Sequence, residues 1–222
     1  MNSEKNKLLL REFYDHAIRN GVDEDVIFSA DNLMEYVDTA LDAYREYPLF
    51  LHTFDGVYNE KVLSRMMKVD FRSRLKLMGG IASSKNYESI LLFEPPNTPK
   101  TGMVEYVRVA DVGDFSLLFR SAMYKQEKYE DYALEKRKEY LDDNTWYIYI
   151  FATRNEFQRQ GHGKKLIKLL CSFADINGYR ICLETNLKEN VTMYENFGFK
   201  NMDSSIYKET LEHYVMLYTG KK

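Results

Sequence analysis

Gln158, Arg159, Gly161 and Gly163 fall within six residues of one another, and Lys164 and Lys165 follow at once. Two glycines beside a guanidinium and two ammonium groups suit an anion, and a phosphate best of all. If a helix opens here, its first turn leaves backbone N–H groups without partners, and the helix dipole adds partial positive charge at the same place. Glycine lets that backbone approach a ligand with no Cβ in the way. The same glycines would also serve a plain strand-to-helix corner, so the loop by itself leaves both readings open.

The flanking residues supply the elements such a site needs. Trp146 to Thr153 is an aromatic and β-branched run of strand length. Arg154 to Gly163 is polar, and from Lys164 onward Leu166, Ile167, Leu169, Leu170, Phe173 and Ala174 recur at helical spacing. Two other phosphate motifs are excluded. No Gly-x-x-x-x-Gly-Lys-Ser/Thr string is present, and Leu166 stands where a dinucleotide fingerprint needs its third glycine.

The pattern Gln/Arg-x-x-Gly-x-Gly/Ala after a strand resembles the acyl-CoA pyrophosphate loop of the GNAT superfamily of N-acetyltransferases. The resemblance continues through Ile181 to Phe199, ICLETNLKENVTMYENFGF, with a strand, Asn190, Tyr194 four residues later, and Gly198-Phe199 opening the next strand. It implies that backbone N–H groups of Arg159, Gln160, Gly161, His162, Gly163 and Lys164, entered through Gln158, hold the pyrophosphate of acetyl-CoA. It implies that Phe151, Ala152 and Thr153 bind the pantetheine arm along a strand edge. Thr153 stands where the family often has a small apolar residue. Asn190 matches a cofactor-contacting position, with helix capping as the competing account.

Tyr194 matches the family's general acid, since a phenol keeps its proton at neutral pH and can give it to a thiolate. Simple ring packing is the alternative in a chain with 18 tyrosines. Glu184 is a candidate general base, acting directly or through water, or else a partner for a basic residue.

The implied function is acetyl transfer from acetyl-CoA to a primary amine by direct ternary-complex transfer. The acceptor is expected to be a small molecule and the protein a monomer or homodimer. A non-catalytic acyl-CoA sensor and an acetyltransferase of protein or peptide amines are the competing readings. More loosely, ALDAYREYPLFLHTF and SILLFEPP resemble the substrate-side half of the branch containing puromycin N-acetyltransferase, which speaks to fold and cofactor and not to acceptor.

Composition narrows the rest. The 222 residues, 45 % of them hydrophobic, can bury a core without staples, and a net charge of -3 gives no electrostatic case for nucleic acid. Cys171 and Cys182 sit in apolar patterns and read as buried reduced thiols, consistent with a cytoplasmic protein. His16, His52, His162 and His213 are scattered without metal spacing, so no metal is expected. No leader peptide and no membrane span are expected.

Along the chain, 6–20 reads as an amphipathic helix stopped by Gly21, and Asp25 to Ser29 as a short strand. Asp31 is the expected cap of the next helix, and Pro48 its end. Ser64 to Met78 is helical in period and broken by Gly79-Gly80. Ile81 to Ser84 and Glu88 to Phe93 read as strands. Gly113 to Asp142 reads as mostly helical, its alternating charges forming a solvated face or one wall of a site. Arg180 to Thr185, Ser204 to Thr210 and His213 to Thr219 are the last strands, with a turn near Leu211-Glu212. The expected fold class is α/β of the α+β type: one GNAT-like domain over 1–222, a mixed, mostly antiparallel sheet with helices on both faces. Residues 1–24 would be an N-terminal helical extension and 145–219 the acetyl-CoA-binding core.

Overall fold

The computed structural model describes residues 2–117 and 120–220. In chain order its elements are α1 (Asn2–Arg19), α2 (Leu33–Ala43), α3 (Pro48–Thr53), α4 (Glu60–Arg74), β1 (Gly79–Ala82), β2 (Ser89–Glu94), α5 (Met103–Val109) and α6 (Ser121–Arg137). They continue with β3 (Thr145–Thr153), α7 (His162–Asn177), β4 (Arg180–Thr185), α8 (Lys188–Glu195), β5 (Lys200–Tyr207) and β6 (Leu211–Tyr218). The strands form one sheet in the order β1-β2-β3-β4-β6-β5. Only β3 and β4 run parallel, α7 being the crossover between them; the other neighbours are antiparallel.

Aromatic packing ties the sheet to helices on both faces. Trp146 of β3 is fully buried. Its ring lies 6.2 Å from Phe13 of α1 and 5.6 Å from Phe173 of α7. Phe13 also stacks edge-on against Phe93 of β2 at 4.5 Å, so α1, the bulk of the segment 1–24, is built into the core through Phe13 and Ala17. On the opposite face Tyr149 donates to Asp70 of α4, and Tyr147 donates to Glu184 of β4 at 2.8 Å.

A β-bulge in the middle of β3 changes which way its side chains point. Ile150 pairs with Leu92 and Ile148 with Phe93, which leaves Tyr149 without an opposite residue. An extra residue reverses the two-residue alternation beyond it. Tyr147 and Tyr149 therefore face α4 and α6, whereas Phe151 and Thr153 turn back toward the start of α7. The bulge also bends β3 away from β4. The two strands pair only at Thr145, Trp146 and Tyr147 with Arg180, Ile181 and Cys182, while β4 stays on β6 to its end. From Ile148 to Thr153 the β4-facing edge of β3 has no strand beside it.

Several local expectations are corrected. Asp25 to Ser29 forms no strand: Glu24–Val26 is a 3-10 turn and only Ile27 bridges to Ile81. The amide of Asn32 holds this segment by donating to the carbonyls of Asp25 and Ile27 while its Oδ1 accepts from Ser29 N. Asn32, not Asp31, is the residue at the cap of α2. Pro48 starts α3 instead of ending α2, which stops at Ala43. Gly79 and Gly80 open β1 and do not merely break α4; a Cβ on Gly79 would stand 2.6 Å from Leu10 Cδ2 and 2.7 Å from Phe93 Cε2. The last hairpin turns at Lys208 and Glu209, both at positive φ, three residues ahead of the expected Leu211-Glu212. Within 113–142, α6 is flanked by 3-10 turns, and α5 has no counterpart in the sequence reading.

No helix among the described residues is long and apolar enough to cross a membrane. Cys171 and Cys182 are buried and not joined in a disulfide, and burial pushes the Cys182 thiol well above its usual range.

Candidate active site

β3 ends at Thr153, and the chain then crosses α2 before α7 begins. Asn155 fixes that crossing: its N–H donates to Asp42 Oδ2 at 2.6 Å and its side-chain amide to Asp42 O at 2.7 Å. Arg154 N donates to Glu88 O at 2.9 Å and its Nε to Thr39 Oγ1 at 3.1 Å. Gln158 folds back on the loop, its amide donating to Asn155 Oδ1 at 3.0 Å, and Gln160 does the same to Glu156 O at 2.8 Å. Arg159 and Gly161 take positive φ values of 61° and 93°, a concave backbone of the kind that gathers N–H groups around an anion.

α7 starts at His162, and its first i→i−4 bond runs from Lys165 N to Gly161 O. The N–H groups of His162, Gly163 and Lys164 precede that bond and so have no partner within the helix. No acidic residue sits in this first turn, and Arg159, Lys164 and Lys165 are exposed around it. His162 Nδ1 points back to Glu88 Oε2 at 4.0 Å. The two glycines have different reasons. Gly161 needs its left-handed φ, with nothing near a would-be Cβ, whereas a Cβ on Gly163 would stand 2.9 Å from Phe151 Cζ and 3.0 Å from Thr153 Oγ1. Gly163 thus lets the start of α7 close onto the end of β3.

The gap between β3 and β4 is rimmed by tyrosines. Tyr44, just after α2, donates to Phe151 O at 3.3 Å. Tyr47 shares a hydrogen bond of 3.2 Å with Thr185 Oγ1 and accepts one from Asn186 N at 2.9 Å. Asn190 is not the cap of α8, a position held by Leu187; its amide donates to Thr185 Oγ1 at 3.0 Å. Tyr194, in the last turn of α8, is 5 % exposed, with its ring 6.3 Å from Phe151 and 5.7 Å from Phe199. Its hydroxyl has no hydrogen-bond partner among the described residues. Burial, reinforced by the nearby hydroxyls of Tyr44 and Tyr47, holds it well above the ordinary phenol range, so it stays protonated at neutral pH.

Phe151, Ala152, Thr153, Gly163, Asn190 and Tyr194 thus gather at one end of the β3–β4 gap. Glu184 lies elsewhere, on the sheet face toward α6. Its carboxylate accepts from Arg137 Nη1 at 3.1 and 3.0 Å and from Tyr147 Oη at 2.8 Å. Burial raises its pKa while Arg137 opposes the rise.

A cavity of about 180 Å³ lies on this face, lined by Tyr44, Tyr47, Phe50, Met66, Asp70, Tyr106 and Glu130 among others, with Tyr147, Tyr149 and Glu184 as its floor. Sequence reading missed Tyr44, Tyr47, Asp70 and Arg137. Their one local signal is the pair Tyr44-x-x-Tyr47 before Pro48. Arg137 was hidden in a helix whose charges alternate as on a solvated face, yet it is buried, as are Tyr129 and Ala133.

Among the described residues no group of three or more His, Cys, Asp or Glu is arranged to hold a metal.

Residues 124–219 match the sequence profile of the acetyltransferase (GNAT) domain. An uncharacterized N-acetyltransferase of Schizosaccharomyces pombe is 34 % identical over 58 residues, a stretch covering 26 % of this chain and 24 % of that protein. The chain therefore spans about a quarter of that curated relative. Two crystal structures share the fold across nearly their whole lengths. One, from Corynebacterium glutamicum and described as histone acetyltransferase HPA2 and related acetyltransferase, has a TM-score of 0.54 at 15 % identity and covers 89 % of this chain and 97 % of its own. The other, mosquito arylalkylamine N-acetyltransferase like 5b, has a TM-score of 0.55 at 12 % identity and covers 86 % and 97 %. The domain match runs from α6 through β6, and the likeness to these two structures is one of fold.

Proposed function

We propose that this protein transfers an acetyl group from acetyl-CoA to a primary amine of a small molecule, by direct attack of the amine in a ternary complex. The observation that carries the reading is the pairing of two unused backbone surfaces: the free edge of β3 from Ile148 to Thr153 and the first turn of α7 immediately beyond it.

The residues present fit acetyl-CoA at that place. N–H groups from Arg159 to Lys164, with Gln158 bracing the loop, would receive the pyrophosphate. Phe151, Ala152 and Thr153 would offer backbone hydrogen bonds to the pantetheine, and one N–H of that edge would polarise a carbonyl. Asn190 would contact the arm. When bound, acetyl-CoA supplies the activated acyl group. Tyr194 keeps its proton in its buried setting and is the donor to the departing thiolate. Glu184 remains the candidate base, acting through water, since Arg137 and Tyr147 already engage both its oxygens.

We take 1–222 as one acetyltransferase unit, with 145–219 as the acetyl-CoA-binding core, working in the cytoplasm as a monomer or homodimer. The acceptor cavity supports a small molecule over a protein or peptide. It is a small cavity of about 180 Å³, walled by the end of α2, α3, α4, α5 and α6 over the sheet. The test is thiol release from acetyl-CoA across a panel of amines, next to direct acetyl-CoA binding. Thiol release that depends on an amine supports transfer. Tight acetyl-CoA binding with no release on any amine would favour the sensor instead.

A further inference from the structure

Two arginines lie in or beside the wall of the acceptor cavity, and neither is open to a ligand. Arg74 of α4 is 5 % exposed at its side chain, and Arg137 of α6 is 8 % exposed. Arg74 donates through Nε to Asp70 Oδ1 at 3.0 Å and through Nη1 to Glu94 Oε1. Arg137 donates through Nη2 to Glu130 Oε1 at 2.6 Å and through Nη1 to both oxygens of Glu184. Each guanidinium lies over a tyrosine of β3, 4.3 Å from the Tyr149 ring centroid for Arg74 and 4.4 Å from Tyr147 for Arg137. The two-residue alternation of β3 sets these two rings side by side on one face, so the fold builds the same unit twice.

The charge of each unit does not close. One guanidinium meets two carboxylates, so four carboxylates face two cations within or beside one cavity. Their side chains are mostly buried, at 17 % and 12 % exposure for Asp70 and Glu94 and 22 % and 9 % for Glu130 and Glu184. Unbalanced negative charge in a desolvated wall calls for a proton or a cation. Glu130 Oε2 has no hydrogen-bond partner among the described residues, and the exposed carboxylate of Glu127, one helical turn earlier, stands at the same wall. The remaining cation of the lining, Lys100, is engaged by Asp131. Away from these groups the lining is mainly aromatic and apolar, with Tyr44, Tyr47, Phe50, Met66, Met67 and Ile148, and Thr101, Gln126 and Asn186 are its uncharged polar members.

We propose that the acceptor is a cationic amine on an aromatic or apolar body that carries no carboxylate, its ammonium balancing the excess carboxylates of the Arg74 and Arg137 clusters. The proposal rests on this cavity being the acceptor site. An ammonium brings three donors and no acceptor to oxygens that lack a partner. An amino acid of the same body would bring a second carboxylate to a wall that is already negative, and both guanidiniums that could receive it are committed. A neutral isostere would leave the wall unbalanced.

Calorimetric binding without acetyl-CoA separates these cases, using 2-phenylethylamine, 2-phenylethanol and L-phenylalanine as probes with one aromatic body and three head-group charges. The amine should bind at least tenfold tighter than the alcohol, and L-phenylalanine weakest of all. Glu130→Gln should weaken the amine about tenfold and leave the alcohol unchanged, a contrast that general loss of structure would not produce. Equal binding of the amine and either other probe, or no binding by the amine, overturns the proposal. Acetyl-CoA binding is measured separately on the same protein. Its loss would overturn the cofactor reading, while the order of the three probes still decides the acceptor class.

Discussion

Gly163 lies so close to Phe151 that a Cβ on the glycine would stand 2.9 Å from Cζ of the ring. That contact joins the end of β3 to the first turn of α7, the two backbone surfaces assigned to the pantetheine and the pyrophosphate. Gly163→Val should force them apart, weakening acetyl-CoA at least tenfold, as read by titration calorimetry. Gly161→Ala meets no neighbour but keeps an unfavourable φ of 93°, costing roughly 1–2 kcal/mol of stability and less affinity than Gly163→Val. The reverse order would undo the roles assigned to the two glycines.

Tyr194→Phe removes a hydroxyl from a ring that is otherwise held by Phe151 and Phe199. Packing survives and the proposed proton donor does not. The expected result is a fall in kcat of about 10²-fold with the dissociation constant for acetyl-CoA within about threefold of the original. A parallel loss of both, or full rate, would assign Tyr194 to packing alone.

His213 is fully buried, with Nδ1 2.9 Å from Tyr129 Oη. Burial is the main cause that lowers its pKa from 6.5 to about 4. Below pH 6.5 the unfolded chain takes up a proton here and the folded chain does not. Its contribution is therefore complete above pH 6.5 and is lost as the pH falls to about 4, amounting to about 3 kcal/mol over that window. Urea unfolding at pH 7 and at pH 4 should show the loss, and His213→Gln should flatten it. An unchanged slope in the variant would place the acid sensitivity on other groups.

Phe13→Ala tests whether the first helix belongs to the core. The ring contacts Phe93, Trp146 and Phe173 with no exposure, and its truncation should cost about 3–5 kcal/mol. A cost below about 1 kcal/mol would mean that α1 is an appended arm.

The strand, loop and helix around Gly161 were legible because their signals are local. An aromatic run, a glycine pair and a 3.6-residue period lie within one stretch of chain. The mixed, mostly antiparallel sheet with helices on both faces followed from that core and its neighbours, with one strand too many at Asp25 to Ser29. What stayed hidden depends on contacts distant in sequence. Gly79 reads as a breaker but is a glycine because Leu10 and Phe93 press on it. Pro48 reads as a stop but serves as the first residue of α3. The bulge at Tyr149 has no residue signature, yet it turns Phe151 toward α7 and opens the edge of β3. The proposed acceptor cavity draws on residues from Tyr44 to Asn186, and no local pattern links Arg74 to Glu94 or Arg137 to Glu184.

The most direct test of the central claim is the thermal shift with acetyl-CoA, CoA and NAD in parallel. A ligand at roughly a hundred times its dissociation constant adds about 2.7 kcal/mol, which in a domain of this size raises the melting temperature by roughly 5–10 °C. A shift with acetyl-CoA and CoA but not with NAD is the predicted result. No shift with either CoA species would leave the loop from Gln158 to Gly163 as only a corner between β3 and α7 and would contradict the proposed activity.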